Sequence, residues 1–297
     1  MILPQPLKKN SEIAIITPSG AIEATYIDDS VNILTREGFK PLIDNLAYTR
    51  NGRFAGNVNE RVNSLVEALL NPDIEAILCS RGGYGIVHLL PYLDPQLFIT
   101  HPKWIIGYSD ITALHGFCNK AGLISLHAPM CKHIADSDGR DESCRLLFDI
   151  IRGVKPVYDL PEHPLNISGE TEGTLIGGNL AVLCALRGTP FDITTSFSDA
   201  ILFIEDIGEH PYQIERMMYN LELGGVLGSI KALIVGQFTS CSEDPLMYDT
   251  IYGSIRNLME KYSVPVIFDF PVGHVENNYP MLCGSKVQLT KKQLIFK

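Results

Sequence analysis

The chain has 297 residues, 45% hydrophobic and 20% charged, enough for two compact cores of ordinary soluble composition. Its net charge is −10, and Lys8, Lys9 and Lys132 build no basic run, which argues against a nucleic-acid partner. Seven cysteines without C-x-x-C spacing read as free thiols in a reducing compartment; with no apolar run of about 18 residues, the expectation is a cytoplasmic protein without a membrane span.

Glu12 to Thr17 (E-I-A-I-I-T) is a β-branched run that stops at Pro18-Ser19-Gly20, as a buried strand running into a turn does. Tyr26 to Glu37 carries Ile27, Val31 and Leu34 at helical spacing, with Gly38 as its C-cap. Arg61 to Leu70 repeats that pattern through Val62, Leu65, Val66 and Leu69 and ends at Asn71-Pro72. Ile74 to Ser80 and Trp104 to Ile106 are further apolar strands. Strands alternating with helices predict an α/β fold with a parallel, doubly wound sheet, whose sites lie at the carboxyl ends of the strands.

Two such ends stand out. Arg81-Gly82-Gly83-Tyr84-Gly85 follows the Ile74 strand, and its glycines allow a backbone N–H to approach a ligand. It matches neither the Walker A nor the dinucleotide fingerprint, and a plain glycine turn with a solvent-facing arginine fits equally well. Trp104 to Leu114 reads W-I-I-G-Y-S-D-I-T-A-L. A strand ending at Gly107 and turning straight into a helix holds Ser109 on a tight corner, where helix N–H groups suit an anionic intermediate. The G-x-S-x-G elbow is incomplete, with Ile111 in place of the second glycine, and an N-cap serine is the competing reading. On such a helix His115 points away from Ser109, so a base must come from elsewhere. His127 reads as a core or loop histidine.

Residues 153–173, rich in proline and glycine, read as a connection between a first domain, 1–152, and a second, 174–297. In the second, Thr174 to Asn179 is a strand running into a helix from Leu180; Gly177 and Gly178 suit either an anion site or close packing. Ala200 to Ile204 is an apolar strand that breaks into Glu205-Asp206, and a carboxylate there needs a partner. Pro211 to Leu223 is a helix with Met217 and Met218 as core filler. Lys231 to Gly236 is a strand, and Val264 to Phe270 is another that delivers Pro271-Val272-Gly273-His274, a place suited to a general base. Val287–Thr290 and Gln293–Phe296 flank Lys291-Lys292 as a hairpin.

Serine, glutamate and histidine, each after an apolar strand, form a workable triad order. Spacing alone does not show that the two halves face each other. The set S-R-G-G-Y-G (Ser80 to Gly85), G-Y-S-D-I-T (Gly107 to Thr112), L-I-G-G-N-L (Leu175 to Leu180), F-I-E-D-I-G-E (Phe203 to Glu209) and P-V-G-H (Pro271 to His274) resembles the LD-carboxypeptidase family of serine peptidases. That family includes muramoyltetrapeptide carboxypeptidases and microcin C immunity hydrolases. The resemblance implies a flavodoxin-like N-terminal domain similar to class I amidotransferases and a C-terminal swivelling β/β/α domain, with the site in the cleft between them. It implies Ser109 as nucleophile, His274 as general base, Glu205 as the carboxylate orienting it, and the N–H groups of Gly83 and Asp110 as the oxyanion hole. It further implies a homodimer without metal or cofactor that releases D-alanine from cytoplasmic murein tetrapeptides. Arg81 is the candidate for the substrate's free carboxylate. The competing readings are a hydrolase of peptidyl- or aminoacyl-nucleotides and, from another class, a non-catalytic ligand-binding protein.

Overall fold

The computed structural model describes all residues, Met1–Lys297, as two units: Met1–Val154 with Tyr279–Cys283, and Lys155–Asn278 with Gly284–Lys297. In the first, strands β1 (Glu12–Ile16), β2 (Lys40–Ile43), β3 (Ile74–Cys79), β4 (Trp104–Gly107) and β5 (Ser125–His127) alternate with helices α1 (Ala24–Arg36), α2 (Val58–Leu70), α3 (Pro95–Thr100) and α4 (Thr112–Ala121). Helices α5 (Cys131–Asp136) and α6 (Glu142–Ile151) follow. The five strands pair in parallel in the order 2-1-3-4-5. This is the flavodoxin-like order, in which the direction of winding reverses between β1 and β3 and opens a crevice at their carboxyl ends. The expected α/β class holds, and the loops after β1, β3 and β4 leave the sheet on that same edge.

Why the central strands read as continuous apolar runs is plain from their burial: Ile15, Ile77 and Ile105 are fully enclosed, because helices cover both faces of a parallel sheet. Helix α2 departs from the expected stripe. Its buried side is Arg61, Ser64, Leu65, Ala68 and Leu69, whereas Val62 and Val66 are half-buried. An arginine therefore sits where periodicity calls for an apolar residue, and its polar contacts explain why, as shown below.

The second unit holds β6 (Val157–Asp159), β7 (Thr171–Asn179), β8 (Ala200–Ile207), β9 (Ala232–Thr239) and β10 (Val266–Ile267), with helices α7 (Leu180–Ala185), α8 (Pro211–Leu223) and α9 (Ile251–Met259). Strand β11 (Met281–Cys283) then pairs antiparallel with β5 in the first unit's sheet, before β12 (Lys286–Leu289) and β13 (Gln293–Phe296) close the second. The second sheet has the order β10-β9-β8-β7-β12-β13-β6, parallel from β7 to β10 and antiparallel beyond. Leu202, Ile204, Leu233 and Val235 on one face pack with Leu183, Ile214, Met218 and Ile255 from its helices. Met218 is core filler as expected, while Met217 is only partly buried.

Two features differ from the expected division. The stretch 153–173 is no mere connection, since β6 pairs with β13 through Val157–Ile295 and Tyr158–Leu294 and forms an edge strand, the position where nearby prolines cost no ladder bond. Residues 279–283 belong to the first unit. No helix is long and apolar enough to cross a membrane.

His115 on α4 is entirely buried, with Nε2 2.8 Å from the Gly107 carbonyl and Nδ1 2.9 Å from Ser125 Oγ, so it ties the end of β4 to β5. Burial pushes its imidazole down to about 4 from 6.5. The native state keeps it neutral while the unfolded chain takes up a proton near 6.5, so its stabilisation is present above 6.5 and is lost as pH falls towards 4. We expect about 3 kcal/mol of unfolding free energy to disappear from this group between pH 7 and pH 4. Urea titrations should show His115→Gln with a pH slope smaller by that amount; equal slopes would remove the assignment.

Candidate active site

Ser109 follows β4 by one residue and has φ +65°, a left-handed conformation that a serine adopts at a cost. The turn it begins, Ser109–Ile111, is a short 3₁₀ segment rather than the first turn of the helix, and α4 starts at Thr112. Ser109 is not the N-cap of that helix, which is Ile111. The incomplete elbow pattern has a steric explanation. A Cβ on Gly107 would come within 2.9 Å of Ile111 Cγ1, so the side chain that replaces the second glycine packs on the first.

The glycine loop after β3 closes over this corner. A Cβ on Gly82 would lie 2.8 Å from Ser109 Cβ and 3.0 Å from its Oγ, so only glycine lets the two chains approach this far. Asp110, 3% exposed, binds the corner to its neighbours: one carboxylate oxygen accepts from Ser19 Oγ at 2.5 Å and from the Ile86 N–H at 3.0 Å. Burial pushes the Asp110 carboxyl above its ordinary range, opposed by those bonds and by the Arg61 charge. Arg61, 1% exposed, donates from Nη1 to the carbonyls of Pro18 (2.7 Å) and Gly85 (3.2 Å) and lies 4.6 Å from the centre of the Phe54 ring. Burial lowers its pKa while Asp110 raises it. Two buried opposite charges thus fasten the loops after β1, β3 and β4 to one another. Arg81 at the loop's start is exposed, with Nη1 donating to the Ala21 carbonyl at 2.9 Å.

In the second unit Glu205 and His274 meet. Glu205 is fully buried, and its Oε2 lies 2.8 Å from His274 Nδ1, while the imidazole side chain remains 15% exposed. Glu205 does not stand beyond its strand as expected: β8 continues to Ile207, and an irregularity lies opposite it, where one residue on β8, Glu205, faces two on β9. That bulge places Gly236-Gln237 out of the ladder, and the Gln237 N–H instead takes the Val272 carbonyl at 2.9 Å. The chain bearing His274 is thereby drawn along β9 towards Glu205. A Cβ on Gly273 would lie 3.0 Å from Glu205 Cβ, and Gly273 has φ +132°, so this position admits little but glycine. Asn278, fully buried, accepts the Gly273 N–H at 3.0 Å and closes the turn. Asp206 beside it receives Asn179 Nδ2 and the Ala181 N–H, both at 2.8 Å, and anchors the start of α7.

Each expected residue therefore has a definite setting: Ser109, Asp110, Gly83 and Arg81 lie on the first unit, and Glu205 and His274 form a hydrogen-bonded pair on the second. A Cβ on Gly177 would collide with the Phe203 carbonyl, so at that position glycine serves strand-to-strand packing. His127 is a buried strand residue, its ring 5.8 Å from Tyr108. The supporting residues Arg61, Ser19 and Asn278 were not anticipated, although an arginine on the apolar side of a helix is a signal that burial would be compensated. His133, Asp141 and Cys144 also come together, with His133 Nε2 2.6 Å from Asp141 Oδ2 and potential ligand atoms within 4.8 Å. Asp141 there caps α6 through the Cys144 N–H at 2.8 Å, and Ser137 Oγ faces the Cys144 thiol at 3.5 Å, which accounts for the group structurally.

Known proteins resemble this chain over nearly its whole length. The LD-carboxypeptidase N-terminal domain model matches residues 13–128, and the C-terminal domain model matches residues 172–289. The murein tetrapeptide carboxypeptidase of Pseudomonas aeruginosa is 31% identical, over 98% of this chain and 96% of its own. The microcin C7 self-immunity protein MccF of Escherichia coli is 29% identical, over 95% of this chain and 90% of its own. The crystal structure of muramoyltetrapeptide carboxypeptidase from Oxalobacter formigenes superposes with a TM-score of 0.87 at 30% identity, covering 96% of this chain and 98% of that one.

The left-handed backbone at residue 109 carries its own test. Ser109→Gly relieves the strain and Ser109→Ala retains it, so the glycine variant should be the more stable of the two by about 1 kcal/mol in denaturant unfolding. Equal stability, or a more stable alanine variant, would mean that residue 109 is not held at positive φ.

Proposed function

The chain belongs to the LD-carboxypeptidase family, and from that premise we propose that it is a serine carboxypeptidase that releases the terminal D-alanine from murein tetrapeptides in the cytoplasm. The observation that carries this reading is Ser109 itself, a serine held in the left-handed region at the carboxyl end of a central strand beneath a glycine loop. A nucleophile elbow has this strained form because it exposes Oγ and turns backbone N–H groups to the same side. The His274–Glu205 pair supports the same reading, since a carboxylate on Nδ1 leaves Nε2 to take and return a proton.

In the proposed reaction Ser109 Oγ attacks the carbonyl of the bond between an L-configured centre and D-alanine, and His274 takes the hydroxyl proton. The N–H groups of Gly83 and Asp110 hold the oxyanion. Collapse expels the amine of D-alanine, protonated by His274, and leaves an acyl group on Ser109. Water, deprotonated by the same imidazole, then releases the shortened peptide. Glu205 keeps the ring oriented and balances the imidazolium charge. Arg81 is the proposed reader of the terminal carboxylate, its guanidinium steadied by the Ala21 carbonyl. With a net charge of −10 the chain does not attract an acidic peptide as a whole, so positive potential has to be local. Assembly as a homodimer, and no nucleic-acid partner, complete the proposal.

The likeness to MccF supports a second reading, hydrolysis of a peptidyl-nucleotide. A purine needs an aromatic platform, and the only tryptophan, Trp104, is 2% exposed with its indole N–H on the Gln5 carbonyl at 2.8 Å. Trp104 therefore offers no platform, which tilts the reading toward the peptidase, while an exposed tyrosine such as Tyr84 is the ring a base could stack on instead.

Incubated side by side with a murein tetrapeptide and a peptidyl-nucleotide, the protein should shorten the former by one alanine and leave the latter intact by mass spectrometry. Ser109→Ala should abolish turnover down to the roughly 10³–10⁴-fold acceleration over water that binding alone supplies. A fluorophosphonate should label the wild type at Ser109; a protein that is unlabelled yet binds peptide would be a binding protein instead.

A further inference from the structure

The glycine loop ends in a cluster of rings that the proposed chemistry leaves unused. Tyr84 is 46% exposed, yet its ring packs on two others: His88 at 5.1 Å, edge-on with planes at 85°, and Phe54 at 6.1 Å, tilted by 42°. Phe54 in turn meets His88 at 5.6 Å and lies under the Arg61 guanidinium. Such packing fixes where an aromatic side chain points even when one end is wet.

The hydrogen bonds fix more than position. Arg61 Nη2 lies 3.4 Å from His88 Nδ1, and His88 Nε2 lies 3.2 Å from the Tyr84 hydroxyl. A guanidinium only donates, so His88 Nδ1 accepts and the ring carries its proton on Nε2. That N–H donates to the Tyr84 oxygen. The phenolic proton cannot point back at a donor, so it points away from His88, towards the exposed side. Arg61, held by the Pro18 and Gly85 carbonyls, thus sets the polarity of a three-member relay that ends in a single outward O–H donor.

We propose that Tyr84 is a substrate-binding residue whose hydroxyl donates to the terminal carboxylate of the peptide, with Arg61 and His88 as the positioning residues that hold it in the donor sense. This rests on the carboxypeptidase reading and names a second contact for the carboxylate besides Arg81. Tyr84 is two residues from Gly82, the glycine against Ser109, and three from Arg81 in the same loop, so one loop supplies both contacts. An O–H bonds a charged carboxylate oxygen more strongly than a neutral amide carbonyl, so the Tyr84 hydroxyl adds to the preference for a free acid that the Arg81 charge sets.

Equilibrium binding to the full-length Ser109→Ala protein, which cannot turn over, tests this with a murein tetrapeptide and its C-terminal amide as probes. Adding Tyr84→Phe should weaken the free acid about 10-fold or more, the loss of one charge-assisted bond, and the amide only about 3-fold, the loss of a neutral one. His88→Phe retains the ring packing but lacks the N–H that aims the hydroxyl, and it should weaken the free acid by an intermediate factor of about 3. An unchanged ratio of free acid to amide in Tyr84→Phe overturns the role of Tyr84, and equal loss for both peptides assigns the ring to packing alone. If the parent protein binds neither peptide and the wild type resists fluorophosphonate, the carboxypeptidase reading itself falls.

Discussion

The first unit depends on one strained residue. Placing a serine at φ +65° costs on the order of 1–2 kcal/mol, and nothing in the serine side chain offsets it. What holds it there is next to it: the Asp110 carboxylate, enclosed and bonded to Ser19 and Ile86, cannot move without leaving two donors and a charge uncompensated. Burying that charge is itself unfavourable, and the Arg61 guanidinium across the loop reduces the cost. Removing one member of such a pair is far more damaging than removing both, because the survivor is left charged in a dry place. The strain at Ser109 and the buried charges beneath it are therefore parts of one device, in which desolvated electrostatics hold an unfavourable backbone in position.

The second unit solves a different problem. A carboxylate in the middle of a strand normally points to solvent or is paired across the ladder, but Glu205 is entirely enclosed. Its partner arrives from another direction because β9 bulges opposite it, releasing the Gln237 N–H to capture the Val272 carbonyl. Gly273, with no side chain, then lets the turn settle on Glu205, and Asn278 holds the turn from behind. The glycines that matter here, Gly82 and Gly273, serve close approach to the Ser109 and Glu205 side chains. Flexibility is the wrong account of them, since each is buried and each has a neighbour's side chain where its own Cβ would be.

Much of this was legible in the chain because it is local. The order of strands and helices through the first 127 residues follows from apolar runs and their stops, and the flavodoxin-like order is what right-handed crossovers make of them. The helix Pro211–Leu223 was readable to the residue, since proline opens it and glycine follows it. What could not be read is long-range. Met281–Cys283 is three residues long and becomes a strand only through pairing with β5, more than 150 positions earlier, so no periodicity could announce it. Val264 to Phe270 looked like one strand, but only Val266–Ile267 pair as such, the rest following the bulge in β9. The same bulge explains why Glu205 seemed to stand past a strand end: polarity ended the apolar run, while the ladder continued. The candidate site residues were named from motifs, whereas the frame of Arg61, Ser19 and Asn278 was not, because Arg61 and Asn278 act on backbone groups and Ser19 on a carboxylate far along the chain, none of which local sequence marks.

That asymmetry bears on how specificity and chemistry are divided within the chain. The Ser109 corner and the Glu205–His274 pair are enclosed by neighbours at contact distance, so a substitution there changes packing first. Arg81 and Tyr84, by contrast, are exposed side chains on a loop whose backbone is fixed by Arg61 and Asp110. A rigid backbone carrying exposed side chains can exchange those side chains at little structural cost. Such a scaffold can change which ligand groups it meets while the strained serine stays as it is. In this chain the residues at those exposed positions are a guanidinium and a phenol, both of them hydrogen-bond donors, and on the proposed reading their pairing on one loop would let a carboxylate at the end of the substrate be read.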